Sequence, residues 1–336
     1  MEQIFDILVV GGGPCGLACA IEAAKNNLSH IVLEKGSLTE SIRRYPRRMR
    51  FFSTAENIEI GGLPFPVSNV KATRDEALQY YRKVTGFYHL NIKLFATVAG
   101  IRKEDDGIFG VTTEAGDAYR ARHVVIATGY FDFPRRLHVP GENLPHVSHY
   151  YDEPYRYSFT KVVIVGGANS AIEAALELYR HDVDVTIVHR AADFKVSCKY
   201  WLIPDVKNRV KEGRIKTLFN TEVTAIEPGK VSLRNRATEE RSELPADFVL
   251  LMTGYVPDSR LLLEAGVHLR DVDMVPTFDP LTFETNVEGL YLAGTVIAGV
   301  HTEKIFIENG RDHGKAIIDH ILGRPVRKVQ ELVQRI

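Results

Sequence analysis

A cysteine lies inside a glycine-rich turn near the N-terminus, in the stretch VVGGGPCGLACA. Gly11, Gly13 and Gly16 have the G-x-G-x-x-G spacing of loops that bind a pyrophosphate. Cys15 is then predicted in the first turn of a helix, where the helix dipole and free N–H groups favour the thiolate that attacks disulfides. The same helix end would bind a phosphate dianion, which opposes a second negative charge. Cys15 is therefore open to two interpretations, a reacting thiol or a small residue that fits the loop.

The other two cysteines, Cys19 and Cys198, do not form a Cys-x-x-Cys pair with any partner. A disulfide between Cys15 and Cys19 within one helix would be strained, so Cys19 is predicted to be a small core residue on the sheet. Cys198 lies in a lysine-flanked segment and is predicted to be a surface thiol. Three cysteines make no disulfide framework, which favours a reducing cytoplasm.

The elements around the first loop form a β-α-β unit. The apolar run from Ile7 to Val10 breaks at the glycines, a helical pattern follows, and a second strand from His30 to Leu33 ends at Glu34. A carboxylate at this position accepts hydrogen bonds from ribose hydroxyls and repels a 2'-phosphate. This arrangement predicts FAD at the first loop.

A second unit of the same kind begins at Lys161–Val165, and its loop is GGANSA, residues 166–171. Its second strand, Val185–Val188, is followed by His189, Arg190 and then Lys195 rather than by an acid. Cations at this position make charge-assisted hydrogen bonds to a 2'-phosphate, so we expect NADPH here. The alternative is a solvated basic turn.

Two further strands bracket the second unit and each ends at a glycine, Gly129 or Gly254. A late strand ending at Gly294 and a helix from about Ile305 to Leu322 would complete the outer domain. We predict an α/β fold of two Rossmann-like dinucleotide-binding domains of the three-layer ββα type. The NADPH-binding domain, residues 131–253, would be inserted in a discontinuous FAD-binding domain of residues 1–130 and 254–336.

The composition is that of an ordinary globular protein, with 336 residues, 45% hydrophobic and 25% charged. A net charge of -1 argues against nucleic acid or anionic membrane as a partner. We expect no membrane span, since no apolar run reaches about 18 residues. The acidic start runs straight into a predicted strand, so no secretory signal is expected. No metal site is predicted.

The order of these motifs resembles the low-molecular-weight thioredoxin reductases over nearly the whole chain. Those enzymes carry a Cys-x-x-Cys pair in the NADPH domain, which this sequence lacks. The sequence is more similar to the bacillithiol disulfide reductases, flavoproteins of the same fold. The shared motifs are GGGPCGL from Gly11, FFS ending at Ser53, IATGY from Ile126, NSA from Asn169 and IFIENG from Ile305.

This resemblance implies that Cys15 is the redox residue and that a small-molecule disulfide, such as bacillithiol disulfide, is the substrate. Two departures stand out: five arginines between Arg43 and Arg50, and Thr295 where thioredoxin reductases have an aspartate. The arginines would bind substrate carboxylates or form a solvated or oligomer-facing loop. The residues expected to bind FAD are Gly11, Gly13, Pro14, Gly16, Glu34, Lys35, Ser53, Val98, Ala127, Thr128, Gly129, Gly294, Thr295, Lys304 and Ile305. Those expected to bind NADPH are Gly166, Ala168, Asn169, Ser170, Ala171, His189, Arg190 and Lys195.

Three other functions are compatible with two such loops: a ferredoxin or flavodoxin reductase, a flavin monooxygenase, and a redox sensor without turnover. The type I monooxygenase signature is absent between the loops. Because hydride transfer needs two nucleotide sites, the sensor is the weakest alternative. His301 and Glu303 are acid–base candidates before the last helix, and a homodimer or homotetramer is expected.

Overall fold

The computed structural model describes residues 3–302 and 304–327, so Met1, Glu2 and the candidate Glu303 lie outside the described residues. The strands are β1 Ile4–Val10, β2 His30–Leu33, β3 Ile92–Lys93, β4 Val98–Lys103, β5 Phe109–Thr113, β6 Ala118–Ile126, β7 Phe133–Pro134, β8 Val147–Ser148, β9 Lys161–Val165, β10 Asp184–Val188, β11 Ile215–Leu218, β12 Thr221–Glu227, β13 Lys230–Asn235, β14 Arg241–Pro245, β15 Phe248–Leu251, β16 Tyr255–Val256 and β17 Leu290–Leu292. The helices are α1 Pro14–Lys25, α2 Glu40–Arg43, α3 Arg74–Phe87, α4 Asn169–Tyr179, α5 Leu202–Lys211, α6 Arg260–Glu264, α7 Ile307–Gly310 and α8 His313–Ile321.

The chain divides into two compact units. Of the described residues, the first unit comprises 3–133, 255–302 and 304–327, and the second runs from Pro134 to Gly254. The α/β class with two Rossmann-like units, predicted from the two glycine loops, is confirmed. Which cofactor belongs to which domain, with the boundaries given above, stays a prediction.

The first unit is built on a sheet in the order β3-β2-β1-β6, with β17 also paired to β6. These pairings are parallel, and Val9 lies opposite both Val32 and Val125. Strands β4 and β5 continue from β6 as an antiparallel meander. The β-branched residues at the carboxyl ends of β1 and β6 are buried on both faces, as in other parallel sheets. The carboxyl ends of β1 and β6 therefore meet at one edge, beside the start of α1.

Helix α1 begins at Pro14, whose fixed φ suits the first helical position. Three of its small residues, Cys19, Ala20 and Ala23, are fully buried. At Gly314 of α8, a Cβ would lie 2.8 Å from the backbone of Cys19. Only glycine allows α8 to approach α1 this closely, so Cys19 is a core residue, as predicted.

The second unit repeats this design with a parallel sheet in the order β11-β10-β9-β15-β8. Strands β12, β13 and β14 form a separate antiparallel sheet. Helix α4 buries Ile172, Ala175 and Leu178 against the parallel sheet. Strand β9 has the predicted bounds, and β10 begins one residue before its predicted start.

The predicted helix from Ile305 to Leu322 is wrong as a single element. It is interrupted at Arg311 and Asp312, where the N–H of Asp312 reaches the carbonyl of Asn309 only at 3.4 Å. The Arg311 guanidinium donates instead to the carbonyls of Glu56 and Glu59, which anchors the chain at the break. Among the described residues, no helix is long and apolar enough to cross a membrane.

Candidate functional site

The first glycine loop is held in a shape that only glycine permits. Gly11 has φ +109°, and a Cβ there would lie 2.5 Å from the carbonyl oxygen of Ala127. A Cβ at Gly16 would overlap the carbonyl oxygen of Gly11. Gly13 caps α1 without a side chain, and a Cβ there would meet no atom within 4 Å. No side chain caps the first N–H groups of α1, which fits a helix start that binds a pyrophosphate.

Glu34, at the end of β2, is buried and anchored to the same loop. Its two carboxylate oxygens accept hydrogen bonds from the N–H groups of Gly12, at 2.6 Å, and Gly36, at 2.9 Å. Burial raises the pKa of Glu34, and these two N–H groups oppose the shift. Each oxygen keeps a further lone pair for a donor such as a ribose hydroxyl. The residues of this loop thus fit FAD.

The side chain of Cys15 is half-buried and points across the start of α1 towards the last part of the first unit. A Cβ at Gly310 would lie 2.7 Å from the Cys15 sulfur, and one at Gly294 would lie 2.9 Å from it. Burial, together with the carboxylates of Glu308 and Asp312, raises the pKa of the Cys15 thiol to about 12. The sequence left the charge state of this thiol open, and burial with these two acids favours the neutral thiol over the thiolate.

A group of titratable side chains surrounds this thiol. The Ser53 hydroxyl donates a hydrogen bond to the Glu308 carboxylate, whose pKa is raised by burial. Burial also raises the pKa values of the Tyr45 and Tyr81 phenols. The negative charges of Cys15 and Glu308 raise both pKa values as well. Ser53 was predicted as an FAD contact. Glu308 entered the sequence analysis only as part of the shared motif IFIENG, which gave no indication that its charge acts on Cys15.

The other residues predicted to bind FAD are mostly tied into local contacts of the first unit. The Thr295 hydroxyl donates to the carbonyl of Ile305 at 3.3 Å, while Lys304 is exposed. The Lys35 ammonium lies 2.7 Å from Asp132, and Val98 packs against the core of the sheet. The backbone of Ala127 closes the loop as described above, whereas Thr128, Gly129 and Pro14 are half-buried beside it. Their contacts with FAD stay predictions.

Two histidines near Gly294 have structural partners. The His313 ring stacks on Phe283, with centroids 4.1 Å apart, and its Nδ1 accepts from the N–H of Gly294 at 3.2 Å. Burial lowers the pKa of His313 to about 4, so the ring is neutral near pH 7. The candidate His301 lies 3.0 Å from the Asp273 carboxylate. His313 therefore helps to hold Gly294 against Cys15.

The second glycine loop has the same close backbone approach. Gly166 has φ +150°, and a Cβ there would collide with the carbonyl oxygen of Met252. Ala168 precedes α4 and offers no capping side chain to its first N–H groups, those of Asn169, Ser170 and Ala171. This helix start fits a second pyrophosphate.

The basic residues after β10 differ in their environment. The His189 ring lies over Gly167, where a Cβ would be 2.5 Å from it. Burial lowers the pKa of His189, and the charges of Arg190 and Lys195 lower it further. His189 is therefore a neutral packing residue, whereas Arg190 and Lys195 are exposed and charged. The positive charge available to a 2'-phosphate comes from these two.

A segment that the sequence did not identify runs across the second loop. The backbone N–H of Lys195 and the thiol of Cys198 both donate to the carbonyl of Gly167, at 2.9 and 3.6 Å. The N–H of Lys199 donates to the Asn169 side chain, and its buried ammonium lies 3.3 Å from Glu173. The prediction that Cys198 is a surface thiol is wrong, because this contact buries it. Hydrogen bonds of this kind leave no periodic pattern in the sequence, so the sequence did not predict them.

The sequence profile of the family described as pyridine nucleotide-disulphide oxidoreductase matches residues 8–294. Bacilliredoxin reductase Bdr of Bacillus subtilis is 38% identical over 94% of this chain and 97% of its own. The solved structure of bacillithiol disulfide reductase Bdr from Staphylococcus aureus is similar with a TM-score of 0.91, at 37% identity over 96% of this chain and 99% of that one. The Bacillus cereus structure of the same name gives a TM-score of 0.92, at 37% identity over 96% and 100%. Ferredoxin–NADP reductases match at 27–28% identity, and similar monooxygenase structures at 19–20% show the fold alone.

Proposed function

Because this chain belongs to the pyridine nucleotide-disulphide oxidoreductase family and is an FAD- and NADPH-dependent oxidoreductase, we propose that it reduces bacillithiol disulfide through Cys15. The net reaction would be NADPH + H⁺ + RSSR → NADP⁺ + 2 RSH. The observation that carries this proposal is the identity of 37–38% to bacilliredoxin and bacillithiol disulfide reductases over nearly the full length of both chains.

The assignment of the thiol rests on elimination among three cysteines. Cys19 is fully buried in the core beside α8. Cys198 is buried and bonded to a carbonyl of the second loop, and burial raises the pKa of its thiol. Cys15 is half-buried in the first turn of α1. It is therefore the thiol best placed to meet a substrate.

We assign one cofactor to each glycine loop. Gly11–Gly16, with Glu34, would hold FAD, and the start of α4 with Arg190 and Lys195 would hold NADPH. When bound, these cofactors supply the two electrons that a disulfide needs for reduction to two thiols. The protein's own contribution is to orient them and to control the protonation of Cys15.

A resting thiol with a raised pKa has a mechanistic consequence. At neutral pH Cys15 is protonated, because burial and two neighbouring acids disfavour the thiolate. Disulfide exchange proceeds through the thiolate, so the proton must leave as the substrate is attacked. The thiol would thus stay unreactive until a disulfide and a proton acceptor are both in place.

Bacilliredoxin is a second candidate acceptor, because the B. subtilis relative carries it in its name. An enzyme that uses bacilliredoxin as its direct acceptor would oxidise NADPH faster with that partner than with bacillithiol disulfide alone. The homodimer or homotetramer and the cytoplasmic location remain proposals. Light scattering of the purified FAD-loaded protein measures the oligomeric state.

The proposal is tested by following NADPH oxidation with bacillithiol disulfide in the wild type, Cys15→Ala and Cys198→Ala. We expect Cys15→Ala to lose at least about 99% of the activity and Cys198→Ala to retain most of it, since only the first removes the proposed nucleophile. FAD content is measured in each variant. A Cys15→Ala enzyme that binds FAD and turns over at the wild-type rate contradicts the role of Cys15.

A further inference from the structure

Residues 194–199, which we call the crossing segment, lie against the second glycine loop and carry Lys195. The N–H of Lys195 donates to the carbonyl of Gly167 at 2.9 Å, and the Cys198 thiol donates to the same oxygen at 3.6 Å. The N–H of Cys198 in turn donates to the carbonyl of Lys195 at 3.0 Å. The backbone of Lys195 is thus held directly on the glycine loop that leads into α4.

Helix α4 anchors the far end of the crossing segment through a single residue, Lys199. The Asn169 side-chain oxygen accepts the N–H of Lys199 at 2.9 Å, and the Lys199 ammonium donates to the Glu173 carboxylate at 3.3 Å. Asn169 and Glu173 are four residues apart on α4, so both side chains lie on one face of the helix. Lys199 is only 8% exposed, and an ammonium at such a depth is costly unless it is paired. Its pair with Glu173 therefore fixes the crossing segment to α4.

The side chain of Lys195 differs from this buried anchor, because it is exposed. Its ammonium and the Arg190 guanidinium both act electrostatically on the His189 ring, which lies over Gly167. The two cations therefore lie close to the same turn of the second loop. A phosphate that binds flexible side chains must order them, and a backbone that is already fixed lowers this cost. The crossing segment thus presents Lys195 from a fixed backbone to the region expected to hold the 2'-phosphate.

We propose that Lys199, held by Asn169 and Glu173, positions Lys195 for the 2'-phosphate and thereby favours NADPH over NADH. Lys199 is a positioning residue, since its ammonium is paired with Glu173 and acts on the cofactor only through the crossing segment. This inference rests on the proposed assignment of NADPH to the second loop, and it does not depend on Cys15. It also changes the expected role of Asn169, whose side-chain oxygen holds the crossing segment rather than the cofactor.

The test measures nucleotide binding without turnover. Isothermal titration calorimetry of the FAD-loaded enzyme gives the dissociation constants of NADP⁺ and NAD⁺. The ratio of the NAD⁺ constant to the NADP⁺ constant, called the preference ratio, reports the contribution of the 2'-phosphate, because the two nucleotides are otherwise identical. The variants are Lys195→Ala, Glu173→Ala and the double variant. Glu212→Ala is the matched control, because it removes a carboxylate from a more exposed ion pair, with Arg209, at the far end of α5.

Lys195→Ala should lower the preference ratio about tenfold, because one charge-assisted hydrogen bond to the 2'-phosphate is lost. Glu173→Ala should lower it about fivefold, because the unpaired Lys199 ammonium leaves its buried site for water and releases the crossing segment. Loss of the Glu173 charge would by itself favour the 2'-phosphate, so charge alone predicts the opposite result. In the double variant Glu173→Ala should have no further effect, since the side chain it positions is gone. Glu212→Ala should leave the ratio unchanged.

A preference ratio in Glu173→Ala that equals or exceeds that of the wild type would overturn the inference. So would an equal loss of affinity for both nucleotides, or effects of Glu173→Ala and Lys195→Ala that multiply in the double variant. If Lys195→Ala keeps the wild-type ratio, the assignment of the 2'-phosphate to Lys195 fails, and the inference fails with it. Asn169→Ala replaces Glu173→Ala if that variant does not fold. It removes the other anchor of Lys199 and should also lower the ratio, and an unchanged ratio contradicts the inference.

Discussion

Replacing Gly310 with alanine tests how closely Cys15 packs against α7. The new methyl would lie 2.7 Å from the Cys15 sulfur and 3.3 Å from the Gly294 Cα. Overpacking of a core contact costs about 1–3 kcal/mol. Gly310 does not have a positive φ, so alanine fits its backbone and returns up to about 1 kcal/mol of helix propensity. We expect Gly310→Ala to lower the free energy of unfolding by up to about 3 kcal/mol.

The same change should be tolerated better when the sulfur is gone. Cys15→Ala removes the atom that the methyl would meet, so the double variant should recover at least about 1 kcal/mol relative to the sum of the single changes. Urea unfolding of the FAD-loaded proteins measures the four free energies of the cycle. Gly86→Ala on α3 is the matched control, because a Cβ there meets no atom within 4 Å. Additivity of Gly310→Ala and Cys15→Ala within about 0.5 kcal/mol would show that the sulfur does not face α7.

Three other outcomes are expected. Glu34→Gln removes a charged acceptor of two backbone N–H groups and should weaken FAD binding at least about tenfold in a fluorescence titration; unchanged binding would refute this role. Arg190→Ala combined with Lys195→Ala should raise the KM for NADPH about 100-fold and leave that for NADH nearly unchanged, because only NADPH carries the 2'-phosphate; equal effects on both would contradict the assignment. His313 is neutral when folded, with a pKa of about 4 against 6.5, so the unfolded chain binds the extra proton. The contribution of neutral His313 to the free energy of unfolding is then fully present above pH 6.5 and falls by up to about 3 kcal/mol towards pH 4. In His313→Gln, the free energy of unfolding measured across this pH range should change less.

The parts of this fold that follow from repeated local patterns were predictable from the sequence. Apolar runs that stop at glycines predicted β1, β9 and their helices, because buried parallel strands and tight turns leave strong compositional patterns. In the first loop Gly11 lies against the backbone of Ala127, where only glycine fits. The G-x-G-x-x-G spacing already predicted a glycine at this position.

The properties that depend on burial and on distant neighbours were not predictable. The position of Cys15 in its helix favoured a thiolate only if the phosphate did not oppose it; burial, and the acids Glu308 and Asp312 from the other end of the chain, raise its pKa. The position of His189 directly after a strand suggested a cation that binds the 2'-phosphate. Its ring is instead buried over Gly167 and neutral. Cys198 has lysine neighbours in sequence, while its burial is set by a hydrogen bond to a distant loop. Such contacts between sequence-distant residues have no counterpart in local periodicity.

The measurement that tests the central claim most directly is the reoxidation of the reduced flavin. The wild type and Cys15→Ala are reduced anaerobically with NADPH, and the flavin absorbance is followed after bacillithiol disulfide is added. The account predicts rapid reoxidation of the wild type and a variant that stays reduced. If both flavins reoxidise at the same rate, Cys15 only fills the loop and the electrons reach the acceptor by another route.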